Sequence, residues 1–233
     1  MPEIILIIFA AGLIYYVATR VAPKGLLFKL KKEEASTKKE QEEIEIKESL
    51  SEEESLIKKG QELFNKGSVT ESERYFLKAI KINPKEPQAY HFLGMIYLRQ
   101  KEFEGAAEVL KMAVTLNSLN DTALNNLGLA LYNLEKYEES IEYLQKSIQL
   151  NDKIAHRFVN LGLAHQGVND YEKAANDFEN AVRIHESVEN ITLLTKNYLK
   201  LEDSKLGRKS LERLLEIDPA NTWAKRTLSA LDN

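Results

Sequence analysis

The sequence runs to 233 residues with five prolines, ten glycines and no cysteine, so disulfides, thiolate metal sites and a cysteine nucleophile are all excluded. Its formal charge of −4 is unevenly spread: residues 1–32 carry five basic groups and one acidic group, residues 33–55 carry ten glutamates and three lysines, and the rest is nearly neutral. Such a remainder lacks the concentrated basic surface that binding to a phosphate backbone needs, while 29% charged and 43% apolar residues suit long solvated helices.

The first element is an apolar run from Ile4 to Ala18, extending to Ala22 past Arg20. Fifteen helical residues reach about 22 Å against a hydrocarbon core of about 30 Å, and extension to Ala22 with Arg20 snorkelling closes most of the gap. Tyr15 and Tyr16 suit an interfacial belt. A cleaved signal peptide fits poorly, because the chain opens Met1-Pro2-Glu3 and the run ends in Thr19-Arg20. A buried core helix would not precede a polar tether. The run therefore predicts one transmembrane helix within a membrane-anchoring segment, residues 1–30. Arg20, Lys24, Lys29, Lys31 and Lys32 on its C-terminal flank put the remainder in the cytoplasm by the positive-inside rule.

Residues 31–52 hold few large apolar side chains among many glutamates and lysines. They cannot bury a core, so they are expected to form a solvated charged linker, as disordered chain or transient helix. Pairs such as Glu34/Lys38 and Glu43/Lys47 have the spacing that supports helix.

From residue 53 the chain repeats itself. Gly60, Gly94, Gly128 and Gly162 recur at intervals of 34 residues. In step with them run small residues (Ser72, Ala106, Ser140, Ala174; Ala79, Ala113, Ser147, Ala181) and large apolar ones (Phe76, Leu110, Leu144, Phe178; Ile80, Val114, Ile148, Val182). A 34-residue period with these columns predicts pairs of antiparallel helices. Glycines and small residues allow close approach, and stability arises from stacking neighbouring pairs.

The pattern Tyr90, Leu93, Gly94, Tyr97, Ala106, Leu110, Ala113 resembles the tetratricopeptide repeat (TPR), as do Leu124, Leu127, Gly128, Leu131, Ser140, Leu144, Ser147 and Phe158, Leu161, Gly162, His165, Ala174, Phe178, Ala181. The resemblance implies an all-α helix-turn-helix solenoid, a right-handed superhelix. Its units are expected at residues 53–86, 87–120, 121–154 and 155–187, with a degenerate unit at 188–221 and a capping helix at 222–231. The degenerate unit has Thr195 in place of glycine and Leu214 in place of a small residue. In this family the first helices line a concave peptide groove. Carried onto this chain, that groove takes His91, Met95, Arg99, Asn125, Asn126, Leu129, Tyr132, Asn133, Asn160, Leu163 and Gln166. Neutral amides with aliphatic and aromatic positions suit an extended peptide. Asn126 and Asn160, one unit apart, resemble two rungs of a backbone-gripping asparagine ladder; asparagine common to the repeat consensus explains them equally well. Lysine and arginine are missing from the positions of the chaperone-tail clamp, which argues against an Hsp70 or Hsp90 tail.

No phosphate loop, nucleophile motif or metal spacing appears. None of His91, His156, His165 and His185 pairs with another at i, i+3 or i, i+4. The expectation is therefore a non-enzymatic, cofactor-free, membrane-anchored adaptor that binds proteins or peptides during assembly of an envelope or membrane complex, at a bacterial inner membrane. Two alternatives stand beside it: a targeting-peptide receptor, as at a mitochondrial outer membrane, or a regulatory subunit of a membrane enzyme. No nucleic acid or metal is expected.

Overall fold

A computed structural model describes residues 24–231, all of whose regular structure is helical. The apolar run at 4–22 lies outside the described residues, and among those described no helix is long and apolar enough to cross a membrane. Contacts divide the chain between Glu54 and Ser55. Helix α1 (Lys24–Asn65) is followed by α2 (Val69–Ile82), α3 (Pro87–Gln100), α4 (Phe103–Leu116), α5 (Asp121–Asn133), α6 (Tyr137–Leu150) and α7 (Ala155–Gly167). Then come α8 (Tyr171–Ile184), α9 (Val188–Lys200), α10 (Ser204–Ile217) and α11 (Thr222–Leu231).

Residues 31–52, expected as a solvated linker, run as continuous helix within α1. The stretch has neither proline nor a glycine between Gly25 and Gly60, and i, i+4 charge pairs such as Lys38–Glu42 at 3.9 Å support it. Both side chains of that pair are well exposed.

From residue 55 the helices pair as α3 with α4, α5 with α6, α7 with α8 and α9 with α10. The 34-residue columns explain the pairing. A Cβ at Gly94 would lie 2.4 Å from the Leu110 side chain, and one at Gly128 would lie 2.5 Å from Leu144. Each first helix therefore presses its backbone onto a large side chain of its partner. The small column meets it from the other side: Ser72 Oγ donates to the Gly60 carbonyl at 2.8 Å, and Ser140 Oγ donates to that of Gly128 at 2.7 Å. Ala79, Ala106, Ala113, Ala174 and Ala181 are buried without a polar atom to satisfy.

The turn inside each unit is also periodic. Gly67, Lys101, Glu135, Asn169 and Glu202 all have φ between 57° and 81°, the left-handed region that closes a helix. The next residue's N–H reaches back over the last turn each time: Ser68 to Leu63, Glu102 to Tyr97, Lys136 to Leu131, Asp170 to His165 and Asp203 to Tyr198, at 2.9–3.1 Å. This Schellman geometry recurs in all five units although only the first has glycine at the strained position.

Between units, Asn83, Asn117, Asn151 and Asp218 accept from the N–H two residues on, at 3.0–3.2 Å, forming Asx turns that redirect the chain. His185 holds the fourth such position, and the Asn190 amide donates to its carbonyl at 2.8 Å.

In the degenerate unit Thr195 and Leu214 are both fully buried. The Thr195 hydroxyl donates to Ile191 O of its own helix at 2.7 Å. Helix α11 lays Trp223, Leu228 and Leu231 against the last hydrophobic cluster, with Ala224 buried.

Candidate functional site

First helices of successive units meet directly, α3 with α5 and α5 with α7, whereas successive second helices make no comparable contact. The first helices thus form one continuous row. His91, Met95 and Arg99 lie on α3, Asn125, Asn126, Leu129, Tyr132 and Asn133 on α5, and Asn160, Leu163 and Gln166 on α7. None of these eleven is a carboxylate.

Polar groups from three helices join in a single chain. Asn160 Nδ2 donates to Asn125 Oδ1 at 3.1 Å, Asn125 Nδ2 to Asn126 Oδ1 at 3.4 Å, and Asn126 Nδ2 to His91 Nε2 at 3.3 Å. Donors all point the same way, so the bonds polarise one another. The acceptor at its end must be a neutral imidazole. Burial holds the His91 ring below the ordinary histidine range, opposed by the Asp121 carboxylate.

This arrangement alters the role of Asn125. It is 4% exposed, so it is not the groove contact its sequence position suggests; one residue from Asn126, it turns about 100° away and links α5 to α7 from below. Asn126 and Asn160 are half-buried and keep part of their amide capacity free. Gln166 makes a parallel link, donating to Asn197 Oδ1 at 2.8 Å, and Asn197 donates to Tyr171 O at 2.7 Å.

Apolar positions alternate with these amides. Leu129, Tyr132, Met95 and Leu163 are half-buried, and the Tyr132 ring lies 5.7 Å from that of Tyr137. At the first-unit end, the Arg99 guanidinium lies 3.8 Å over the Phe64 ring. Phe92, at the position equivalent to Asn126, stacks on Phe76 at 5.1 Å and meets Phe64 edge-on at 5.7 Å. The asparagine pattern thus gives way to an aromatic cluster there. Asn133 is exposed, its amide donating to Leu129 O at 2.8 Å.

Two buried polar pairings are not legible in the sequence, although His165 stands there in place of the usual tyrosine. Arg157, 2% exposed, stands in a column whose other members include Ala89 and Ala123. Its Nη1 lies 2.9 Å from Asp121 Oδ2 and donates to Asn151 O at 3.1 Å and Ser147 O at 3.3 Å. Burial pushes the Asp121 carboxyl up, but bonds from Arg157 and Asn151 outweigh it and hold the group below the usual range. Among the described residues Arg157 Nε has no hydrogen-bond partner. The second cluster pairs His165 Nδ1 with Asp177 Oδ2 at 2.6 Å, both buried. Burial raises the Asp177 carboxyl, with His165 opposing. A charged residue within a column of small or apolar ones was the available signal in both cases.

Among the described residues no cluster of histidine and carboxylate side chains could hold a metal ion. Three family profiles, each for the tetratricopeptide repeat, match in unbroken succession over residues 57–121, 122–153 and 154–191, together more than half of the chain. The chain belongs to the tetratricopeptide-repeat family. The matches stop at 191, so the degenerate fifth TPR unit falls outside them. No curated protein matches the sequence.

Solved TPR structures superpose well. YrrB, described as a TPR protein with an unusual peptide-binding site, gives a TM-score of 0.66 at 17% identity over 74% of this chain and 89% of its own. MamA (residues 41 to the end) from Desulfovibrio magneticus RS-1 gives 0.68 at 18% over 73% and 97%. Pseudomonas aeruginosa PilF gives 0.62 at 20% over 78% and 90%. At these identities the likeness establishes the fold: an all-α TPR solenoid.

Proposed function

We propose that this TPR protein is a non-catalytic adaptor whose row of first helices forms a concave groove for an extended peptide of a partner protein. The observation that carries the reading is the continuous lining from His91 to Gln166, in which half-free amides alternate with Met95, Leu129, Tyr132 and Leu163 and no carboxylate intervenes. The first helices α3, α5 and α7 touch across units more closely than the second helices do, which curves a stack so that first helices lie inside. Amides with spare donors and acceptors match a peptide backbone, and the apolar positions receive its side chains. YrrB, a TPR protein with an unusual peptide-binding site, lends support by analogy of fold alone.

We further propose that residues 4–22 anchor the protein in a membrane, bacterial inner membrane being the preferred setting, with the TPR units on the cytoplasmic side. There the adaptor would gather components of an envelope or membrane complex. Its support is the uncharged aliphatic run and its basic C-terminal flank. Tethering would raise the effective concentration of membrane-bound partners without any new contact.

Leu129→Glu tests the groove, since its side chain makes no polar bond and a carboxylate there would be desolvated by a bound peptide. In a crosslinking pull-down from native membranes, the variant should lose the partners captured by the wild-type chain while keeping its helical circular dichroism. Equal capture by both would remove the groove reading. Release of the protein into the soluble fraction on cell disruption would remove the anchor.

A further inference from the structure

Because second helices of successive units make less contact than first helices do, clefts open between them, floored by a first helix. The cleft between α8 and α10, with α9 beneath, has a volume of ≈ 390 Å³. Arg183 enters from α8, and Lys209 and Arg213 from α10. The equivalent cleft between α4 and α6 has a volume of ≈ 240 Å³ and the opposite balance, Glu104, Glu108 and Glu139 beside Lys111 and Lys136.

The last cleft also contains a hydroxyl open to a ligand. Ser210 follows Tyr75, Val109, Tyr143 and Asp177 in the repeat register after the one-residue deletion of the fifth unit. A small residue here opens space that larger ones fill elsewhere. Ser210 is 8% exposed, and among the described residues its hydroxyl has no hydrogen-bond partner. Lys209 likewise has no ion-pair partner among them. Of the other groups, Arg213 pairs with Glu186, while Glu179 and Arg183 have neutral partners and keep their charges: Tyr198 donates to Glu179, and Arg183 Nη2 donates to Asn180 Oδ1 at 2.9 Å. None of the eleven groove positions lines this cleft, nor do Leu193 and Lys196, the α9 residues equivalent to Asn160 and Leu163. The cleft is thus separate from the proposed groove.

We propose that this cleft is a second docking site, on the outer side of the last TPR unit, for a partner segment in which a glutamate or aspartate side chain sits beside an aliphatic one. Lys209 and the Ser210 hydroxyl would receive the carboxylate, and Val182, Leu194 and Leu206 provide an apolar wall for the neighbouring side chain.

The test uses the full chain and a labelled hexapeptide alternating glutamate with leucine, read by fluorescence anisotropy at low and physiological salt. Wild type should bind saturably, Lys209→Glu and Arg183→Glu should each weaken binding by about tenfold, and Ser210→Tyr should abolish it by filling the space. Lys111→Glu, in the glutamate-bearing cleft, and Leu129→Glu, in the groove, should leave it unchanged. Equal loss in Lys111→Glu would show attraction to net charge alone and overturn the proposal. Loss confined to Leu129→Glu would assign the probe to the groove and overturn it too. Displacement of the probe by millimolar inorganic phosphate would overturn the carboxylate assignment. Failure of the probe to bind at all overturns this second site while leaving the groove reading intact.

Discussion

His165 and Asp177 show how one buried pair can replace an apolar contact. The same two positions in other units hold Leu63 with Tyr75, Tyr97 with Val109, and Leu131 with Tyr143; here both became polar together. His165→Tyr alone should destabilise by about 3 kcal/mol, because it leaves a buried carboxylate without its partner. His165→Tyr with Asp177→Val, which copies Tyr97 and Val109, should restore or exceed wild-type stability in urea unfolding. The single variant also carries a pH signature. Burial already raises the folded-state pKa of Asp177, and removing His165 takes away the opposing interaction. A group raised on folding contributes stability that is full below its unfolded value and lost as pH rises through its folded value. The deficit of His165→Tyr should therefore be larger at pH 7 than at pH 4. An equal deficit at both would mean that Asp177 stays paired in the variant. Asn160→Ala belongs at this scale as well: it removes the donor to buried Asn125, and about 1–3 kcal/mol of stability should go with it. Replacing Asn126 and Asn160 together by alanine would consequently be a poor probe of binding alone.

Within a helix pair, the repeat columns set both close approach and turning. Gly94→Ala places a Cβ 2.4 Å from the Leu110 side chain, and overpacking of this kind costs about 1–3 kcal/mol; thermal unfolding should show a clear fall in midpoint. The turns are relieved in the opposite sense. Lys101 and Glu135 hold φ near 60°, where a Cβ is strained by about 1 kcal/mol. Lys101→Gly and Glu135→Gly should each raise stability by about that amount. A fall in either variant would mean that the side chain contributes more than its backbone strain removes. The helix pairs were readable from sequence because glycine and alanine columns reflect local close packing, which any period of 34 exposes. Less readable was the linker at 31–52. Its composition forbids a core, yet charge spacing and the absence of helix breakers suffice for α1 to run through it. Also hidden were the pairings of Arg157 with Asp121 and of Asn125 with Asn160, across 36 and 35 positions. Burial of each member depends on how two units stack, and a one-unit pattern does not encode that.

At the scale of the whole protein, the account rests on an asymmetry between the two sides of the stack. First helices meet and share a neutral, amide-rich lining; second helices stand apart and leave charged clefts. Of the eleven positions assigned to the groove, ten are exposed or half-buried on three adjacent helices, and Asn125 is buried. It could not distinguish amides that contact a ligand from amides that tie the units together, because one residue type serves both. Site-specific photocrosslinking in intact cells tests this division most directly, with a photoreactive residue at Asn133 on α5 or at Gln145 on α6, both exposed. Adducts to a partner protein from position 133, with none from position 145, are the predicted result; adducts from position 145 with none from position 133 would contradict it.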